Sequence, residues 1–395
     1  MNKRLIIVGG GPGLCDRAKL FGAELTLVDL PGIFDPVLLP FAKRTIVSDY
    51  ESDAGLIPML QALHGIEPFD GVISMTELAL LPAARISRAL DLGGVSVEAV
   101  ERTRDKVLMR GWLAEKNFPS APAASATSSI GIAAFAERHG FPVIAKPRYG
   151  QGSQRILRFD NKAQIIAANI ENEDLVVEAY LDGREFSVES FSFGRRHVVY
   201  AVTSKLTNSD DLLNPYVEIG HVVPADISER EHETIVQYVQ GFLDVMEITD
   251  VCTHTELRLT SNGPVVIETH TRVGGDSIPS LVRNATGADM LDFAVQWPLG
   301  QIDDEPPMPR SLGAAAIRFF TPPAGTVQTI CGVERWRGHA GVIKLHLPLK
   351  PGDKVSAPKD SFNRVGYVVC VGTDPVAAMQ TCKDVVSGIF IEIVA

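Results

Sequence analysis

Residues 253–272 read THTELRLTSNGPVVIETHTR, and the interpretation of the whole chain starts from this stretch. Residues 253–259 and 265–269 are two short runs typical of strands, the second rich in β-branched residues, and residues 261–263 between them read SNG. Two such runs joined by a short turn that contains Asn-Gly are typical of a β-hairpin. The stretch therefore predicts two adjacent antiparallel strands, each carrying one glutamate.

The two glutamates of this hairpin, Glu256 and Glu268, are candidate ligands for a divalent cation. Like charges that face one another across a strand pair are unfavourable unless a cation lies between them. Mg²⁺ is usually held by one or two carboxylates together with phosphate oxygens. His254 shares a face with Glu256, and His270 and Arg272 share one with Glu268, which indicates that this face opens on a site.

A second informative stretch, residues 143–153, reads VIAKPRYGQGS. It predicts a strand that ends near Lys146, followed by a glycine-bearing loop. A lysine in that position can place its ammonium on a phosphate while backbone N–H groups close over the others. The stretch is not a P-loop, because G-x-x-x-x-G-K-[ST] occurs nowhere in the chain. Taken alone, Lys146 is equally well a surface lysine, and the two carboxylates favour a nucleotide site.

The N-terminal region predicts parallel β-α-β units. Residues 4–8 (RLIIV) form an apolar run that enters a glycine cluster, and further strands are expected at 24–29, 45–48 and 71–74. The dinucleotide fingerprint is incomplete, because Leu14 stands where its third glycine is required. From residue 101 the sequence predicts one charged helix running into a Pro/Ala/Ser loop, and strands dominate thereafter.

Composition narrows the choice of partners and compartment. The 395 residues include 37 Lys and Arg and 48 Asp and Glu, so the net charge is −11, the wrong sign for binding a nucleic-acid backbone. No apolar run approaches the roughly 20 residues that span a bilayer, and the start of the chain does not read as a secretion signal. We expect a cytoplasmic protein without a nucleic-acid or membrane partner. A homodimer is the default expectation, since dimers are the commonest homo-oligomers.

From about residue 104 to residue 299, and more weakly on both sides, the sequence resembles the ATP-grasp superfamily of carboxylate–amine ligases. Residues 267–279, IETHTRVGGDSIP, are most similar to the L-amino-acid (dipeptide) ligases. The resemblance implies an α/β fold of the α+β ATP-grasp type, whose lobes sandwich the nucleotide. It implies four parts: a Rossmann-like parallel-sheet domain (1–100), a small lid lobe with the glycine loop (101–185), a large lobe with the metal site (186–300), and a small β-rich C-terminal lobe that completes the large domain (301–395).

The implied reaction uses ATP and Mg²⁺, with Mn²⁺ as a substitute. ATP phosphorylates a small-molecule carboxylate, and an amine attacks the acyl phosphate to give an amide or dipeptide, ADP and phosphate. The resemblance assigns the phosphate-contacting lysines to Lys106 and Lys146, and the metal carboxylates to Glu256 and Glu268. The further nucleotide contacts that it implies are Tyr149, Gly150, Gly152 and Ser153 of the glycine loop, Glu178 at the adenine edge, the backbone of Ala179, Tyr180 and Leu181, and Glu185 at the ribose.

The remaining implied residues concern the reacting groups. Arg272 resembles the arginine that steadies the acyl phosphate, where fixed positive charge matters most. His270 stands where many relatives carry Asn, so a contact with metal, with phosphate or with neither stays open. Candidate substrate contacts are Lys205, His221, Gly274, Gly275, Asp276 and Arg318. The general base is not identified, and His221, His270 and Asp276 are the candidates.

Three alternative functions remain open at this point. An ATP-grasp carboxylase of the biotin-carboxylase or purine-biosynthesis kind would use bicarbonate in place of an amine. A nicotinamide oxidoreductase is suggested only by the glycine cluster at residues 9–13. A non-catalytic nucleotide-binding regulator would keep the lysines but would not need paired metal carboxylates.

Overall fold

The structure is a computed structural model, and it describes residues 3–150, 152–208, 216–302, 306–356 and 360–394. Residue 151, which belongs to the predicted glycine loop, lies outside these ranges. None of the described helices combines the length and the apolarity that crossing a bilayer requires.

The N-terminal domain is built on a four-stranded parallel sheet in the order β3-β2-β1-β4. Its central strand is buried from Leu5 to Val8, because helices cover both faces, as is usual for parallel sheets. Gly9 follows with φ +62°, and a Cβ there would lie 2.9 Å from the Cβ of Ala79. The elements are β1 (Lys3–Val8), α1 (Pro12–Leu20), β2 (Ala23–Asp29), β3 (Ala42–Val47), α2 (Leu56–Ile66), β4 (Gly71–Ile73), α3 (Leu80–Ala89) and α4 (Val97–Arg104), with 3₁₀ helices at Pro36–Phe41 and Glu77–Ala79.

The expectation of one continuous helix from residue 101 is wrong, because the chain breaks at Asp105. This residue has an extended backbone, and its side chain accepts hydrogen bonds from the N–H groups of Val107 and Leu108, so it caps a new helix, α5 (Lys106–Glu115). The predicted Pro/Ala/Ser loop follows this helix, and strand β5 (Ala123–Ser128) begins at its last residue.

The lid lobe contains a four-stranded antiparallel sheet in the order β5-β8-β6-β7. Lys146 lies near the end of the central strand β6, directly before the glycine loop. The remaining elements of this lobe are α6 (Ser129–His139), β6 (Val143–Pro147), β7 (Leu157–Phe159), α7 (Lys162–Ala168) and β8 (Glu171–Ala179).

The large lobe is an eight-stranded antiparallel sheet in the order β13-β12-β9-β10-β11-β14-β18-β16. The predicted hairpin is present, with Glu256 directly opposite Glu268. Its elements are β9 (Arg184–Phe193), β10 (Arg196–Thr207), β11 (Glu218–Val223), α8 (Glu229–Val245), β12 (Val251–Thr260), β13 (Gly263–His270), α9 (Ile278–Thr286), α10 (Met290–Gln296) and β14 (Ala314–Phe319).

The C-terminal region contributes to this large sheet and adds a small one. Strands β14, β18 and β16 extend the eight-stranded sheet, and a separate three-stranded sheet has the order β17-β15-β19. The elements are β15 (Gly325–Cys331), α11 (Val333–Trp336), β16 (Val342–His346), β17 (Lys354–Val355), β18 (Tyr367–Gly372), α12 (Pro375–Gly388) and β19 (Phe390–Val394), with a 3₁₀ helix at Ser361–Asn363. The predicted mixed α/β architecture, with a parallel N-terminal sheet and antiparallel lobes, is confirmed.

Candidate active site

A cleft between the lid sheet and the large sheet collects most of the predicted nucleotide residues. Of these, Gly152 alone does not line its wall in the described structure. The predicted residues that line the cleft are Lys106, Lys146, Tyr149, Gly150, Ser153, Glu178, Ala179, Tyr180, Leu181, Glu185, Glu256 and Glu268. We call the part of the cleft around Lys106, Lys146, Glu178, Glu256 and Glu268 the nucleotide half.

Lys106 is the first residue of helix α5, and its side chain extends across the cleft from the lid side. Its Nζ lies 3.0 Å from Glu268 Oε2 and donates a hydrogen bond of 3.0 Å to the carbonyl oxygen of Gly150. Burial disfavours the ammonium, but the neighbouring carboxylates, Glu268 foremost, outweigh it and raise the pKa of Lys106. This lysine therefore stays charged and touches both the glycine loop and the carboxylate hairpin.

Glu178, predicted at the adenine edge, has both carboxylate oxygens occupied by cations. Arg110 Nε lies 2.7 Å from Oε1 and Lys146 Nζ lies 2.8 Å from Oε2. Burial alone would raise the pKa of Glu178, but the two cations lower it to about 2. Glu178 therefore fixes Lys146. Arg110 was missed by sequence reasoning, although its spacing of one helical turn from Lys106 was a usable signal.

The hairpin carboxylates have matching environments. Glu256 Oε2 lies 2.8 Å from Lys205 Nζ, and Glu268 Oε2 lies 3.0 Å from Lys106 Nζ. Although burial opposes ionisation, Lys205 and Lys106 hold the pKa values of Glu256 and Glu268 well below the usual range. Both groups are therefore carboxylates at neutral pH.

These two carboxylates fit a hard cation that also takes phosphate oxygens. Within the described part of the chain, no cluster of three or more His, Cys, Asp or Glu side chains forms a complete metal site. Two oxygen donors from adjacent strands are what Mg²⁺ requires when phosphates supply the remaining ligands.

Lys205 and Glu185 are bound to each other. The Lys205 ammonium lies 2.8 Å from Glu256, 3.1 Å from Glu185 and 3.1 Å from Glu218. The prediction that Lys205 binds a substrate carboxylate is therefore not supported, because three protein carboxylates already occupy its donors. The other oxygen of Glu185 lies 3.0 Å from Arg258 Nη2.

Arg272 and His270 meet a residue that sequence reasoning missed, Glu77. This glutamate lies in a 3₁₀ helix of the N-terminal domain and accepts a hydrogen bond of 3.0 Å from Arg272 Nε. His270 Nδ1 lies 2.9 Å from the same carboxylate, and its Nε2 lies 3.3 Å from Glu268 Oε1. Glu77 has a pKa of about 2, because His270 and Arg272 outweigh the effect of burial.

Beyond these residues lies a second charged cluster, which we call the substrate half: His221, Arg272, Gly274–Asp276 and Arg364. Arg364 donates to both oxygens of Asp276, at 2.7 and 2.5 Å, and His221 Nε2 lies 3.0 Å from Asp276 Oδ2. These partners hold the pKa of Asp276 far below its usual range against the opposing effect of burial. Asp276 was a candidate substrate contact, and in the structure both of its oxygens are paired with protein groups.

Two further features complete the substrate half. Gly274 is required sterically, because a Cβ there would lie 2.8 Å from His254 Nδ1, whereas Gly275 has no such neighbour and is exposed. Arg364 also donates to the carbonyl oxygen of Glu218 at 3.1 Å. Glu218 in turn contacts Lys205, so the two halves are joined through it. Arg364 carries no motif, and nothing local in the sequence marked it.

Arg318, predicted as a ligand of a substrate carboxylate, is not brought to this cluster. It pairs with Gly220 in the ladder between β11 and β14, whereas His221 pairs with Ile317. Because successive strand residues point to opposite faces, Arg318 and His221 project from opposite faces of the sheet. That prediction is therefore wrong for the site described here.

Comparisons with known proteins show what the chain is similar to. Three family models match successive parts of the chain: an ATP-grasp N-terminal domain over residues 15–94, an ATP-grasp domain over 161–280, and an L-amino acid ligase C-terminal domain 2 over 318–394.

Full-length relatives show the same relationship. Uncharacterized protein y4rH of Sinorhizobium fredii is 26% identical over 350 residues, which cover 86% of this chain and 72% of that protein. The L-arginine-specific L-amino acid ligase of Bacillus subtilis is 20% identical over 342 residues, covering 83% of this chain and 81% of that enzyme. The fold is that of a crystal structure of an L-amino acid ligase from Bacillus licheniformis, with a TM-score of 0.83, 22% identity, and coverage of 100% of this chain and 99% of that one.

The fold, the charged cleft and the matched domains define an ATP-grasp protein. Its C-terminal domain is the one found in L-amino acid ligases. Its matched domains make the chain similar to the ATP-grasp carboxylate–amine ligases. The family and the enzyme class expected from the sequence are thereby confirmed.

Proposed function

We propose that the protein uses ATP and Mg²⁺ to activate an amino acid carboxylate as an acyl phosphate and joins it to an amine, giving a dipeptide or a related amide. One observation carries the proposal. Lys106 and Lys146 from the lid side and Glu256 and Glu268 from the large sheet line one cleft. This combination of two phosphate-binding cations and two cation-binding carboxylates is what a triphosphate tail requires.

The nucleotide is held along the cleft from its base to its phosphates. The backbone of Ala179, Tyr180 and Leu181 binds the adenine, and Glu185, held by Lys205 and Arg258, meets the ribose. Tyr149, Gly150 and Ser153 line the cleft where the phosphates bind, and their contact with the phosphates excludes water from the acyl phosphate. Lys146 is oriented for this role by Glu178.

Glu256 and Glu268 are the residues that would hold Mg²⁺, with Mn²⁺ as the expected substitute. When bound, the cation neutralises charge on the transferring phosphoryl group. All other chemistry comes from position and fixed charge. The substrate carboxylate oxygen attacks the γ-phosphorus, the bond from phosphorus to the β-phosphate oxygen breaks, and ADP leaves.

The amine then attacks the acyl carbon, and inorganic phosphate leaves as the amide forms. Arg272, fixed by Glu77, stabilises the negative charge that develops in this step. The amine proton needs an acceptor, and of the three candidates both oxygens of Asp276 and both ring nitrogens of His270 already have partners. His221 is buried and held through Nε2 by Asp276, while its Nδ1, which is itself enclosed by the protein, has no hydrogen-bond partner among the described residues. We assign the general base to His221.

The decisive experiment measures phosphate release across a matrix of paired amino acids with ATP and Mg²⁺, followed by mass spectrometry of the products. The expected result is amino-acid-dependent ADP formation and a product whose mass equals the two substrates minus one water. ADP formation that depends on bicarbonate and needs no amine would replace this proposal by a carboxylase. The homodimer stays a prediction, to be checked by light scattering on the same preparation.

A further inference from the structure

Two buried histidines lie side by side behind the hairpin carboxylates. His254 pairs directly with His270 across the strands β12 and β13, and their rings are 6.4 Å apart between centroids and tilted by 23°. Each precedes or follows a proposed metal carboxylate by two residues, so each shares a strand face with it. The mechanism described above uses neither imidazole.

Each imidazole bridges two carboxylates. His254 Nδ1 lies 2.9 and 3.0 Å from the oxygens of Glu189, and its Nε2 lies 3.2 Å from Glu256 Oε1. His270 repeats the arrangement, with Glu77 at 2.9 Å from Nδ1 and Glu268 Oε1 at 3.3 Å from Nε2. The two chains are therefore Glu189–His254–Glu256 and Glu77–His270–Glu268.

The two hairpin carboxylates have the same kinds of partner at corresponding oxygens. In both Glu256 and Glu268, Oε1 faces an imidazole and Oε2 faces an ammonium, that of Lys205 or Lys106. A carboxylate fixed through one oxygen presents the other in a defined direction. Such outer partners orient metal ligands and are worth about 10–100-fold in metal affinity.

The outer carboxylates have different origins. Glu189 lies on β9 directly opposite His254, is 2% exposed and accepts a hydrogen bond of 2.8 Å from Ser187, so the first chain lies within the large sheet. Glu77 belongs to the N-terminal domain. The series Glu77–His270–Glu268 therefore connects two domains. The position of Glu268 thus depends on how the N-terminal domain packs against the large lobe.

We propose that His254 and His270 are positioning residues, each of which holds Oε1 of one cation-binding carboxylate and thereby fixes the orientation of the whole carboxylate group, with Glu77 fixing His270 from the N-terminal domain. This inference rests on the proposed function, because it takes Glu256 and Glu268 as the cation ligands. The competing role for His270 is that of a direct ligand, in the place where many relatives carry Asn.

The first measurement separates these two roles without any variant. Wild-type protein is loaded with Mn²⁺ and ADP, and electron spin-echo envelope modulation is compared between natural-abundance protein and protein grown with ¹⁵N-histidine. We expect no histidine nitrogen bonded to the metal. A directly coordinated nitrogen that changes with the histidine label would overturn the positioning role.

The second measurement tests whether the histidines act on the cation. Mn²⁺ is titrated into ADP-saturated protein and followed by electron paramagnetic resonance, for wild type and for His254→Ala, His270→Ala, His254→Gln and His270→Gln. A Gln side chain keeps an N–H₂ donor for Oε1, so we expect Mn²⁺ affinity to fall about tenfold or more in the Ala variants and to recover partly in the Gln variants. Glu77→Gln should weaken Mn²⁺ binding less than His270→Ala, because it removes the outer contact only.

His197→Ala is the matched control, since His197 is also buried and hydrogen-bonded, to Ser192 Oγ at 2.7 Å, but contacts no hairpin carboxylate. Unchanged Mn²⁺ affinity in both Ala variants, or a loss equal to that of His197→Ala, would reduce the histidines to packing residues and overturn the inference. If the Ala variants do not fold, the Gln variants and the spin-echo spectra decide. A wild-type protein that does not bind Mn²⁺ with ADP at all would instead refute the proposed function.

Discussion

The nucleotide half of the cleft and the cluster called the substrate half are both assembled from buried ion pairs, but they draw on the chain in different ways. In the nucleotide half, Glu256 and Glu268 lie on adjacent strands of one hairpin, and Lys106 and Lys146 lie at the ends of regular elements. In the substrate half, Asp276 is fixed by His221 from β11 and by Arg364 from near the C-terminus. In the nucleotide half the two hairpin carboxylates are local in the chain, while their lysines come from the lid side. The substrate half has no such local pair and joins three separate segments.

The difference indicates which half can change its geometry without altering the other. A hairpin register fixes the spacing of the two carboxylates whatever the surrounding loops do. The geometry at Asp276 depends instead on a segment that crosses from the C-terminal region, so a change there alters the substrate half and leaves the hairpin intact. We therefore expect variants of the nucleotide half to affect every reaction of the enzyme, and variants of the substrate half to affect particular substrates or steps.

The largest expected effect comes from Glu268→Ala in the nucleotide half. Removal of this carboxylate takes away one of two oxygen donors for the cation and leaves the Lys106 ammonium without its carboxylate partner, so ADP formation should fall at least about 10³-fold with every amino acid. Coupled-assay rates and circular dichroism check the loss of activity and the retention of the fold. Glu392→Ala, an exposed strand carboxylate on β19, is the control and should keep wild-type rates. Full turnover by the Glu268 variant would remove the metal assignment.

A smaller and more selective loss is expected from His221→Asn in the substrate half. If His221 accepts the amine proton, amide formation should fall about 10²- to 10³-fold. Acyl phosphate formation should continue, because that step needs no base. Trapping with hydroxylamine measures the acyl phosphate directly as a hydroxamate. Equal loss of hydroxamate and amide would show that His221 serves binding or folding instead. It would also contradict the expectation that variants of the substrate half affect only particular steps.

Stability provides a third comparison, through the buried trio of Glu178, Arg110 and Lys146. The pKa of Glu178 is lowered from 4.5 to about 2, so its stabilising contribution is present above pH 4.5 and is lost as pH falls towards 2. Glu178→Gln should therefore lower the free energy of unfolding at pH 7 by about 3 kcal/mol. The difference from wild type should shrink below pH 4.5, as measured by urea titration. Glu173→Gln on the same strand, whose partner Arg155 is exposed, should change stability by less than about 1 kcal/mol.

The sequence predicted the nucleotide half well because strand alternation and short motifs determine which side chains share a face. Alternation along the hairpin strands predicted Glu256 and Glu268, whereas Lys106 was implied by the resemblance to the ATP-grasp ligases and Lys146 by its glycine-bearing loop together with that resemblance. All four line one cleft. The sequence-based prediction failed where the register between distant strands determines which side chains come together. Arg318 points away from His221 because of the pairing of β14 with β11, and no feature of the sequence reveals that register. Glu77 and Arg364 were missed because their partners lie 193 and 88 residues away along the chain.

The smallest expected effect is that of Arg364→Lys. This variant tests most directly whether the two halves act independently. Lysine keeps the charge but loses the planar fork that donates to both oxygens of Asp276, so Asp276 and the attached His221 become less well fixed. We expect the KM for the amino acid substrates to rise about tenfold, equivalent to about 1.4 kcal/mol, while the KM for ATP stays within about twofold.

Arg335→Lys is the control for this substitution, since Arg335 lies on the exposed helix α11. A parallel rise in the KM for ATP would mean that Glu218, which contacts both Arg364 and Lys205, transmits the disturbance into the nucleotide half. In that case the two halves act as one ion-pair network. The fact that they are built from different segments of the chain would then have no effect on function.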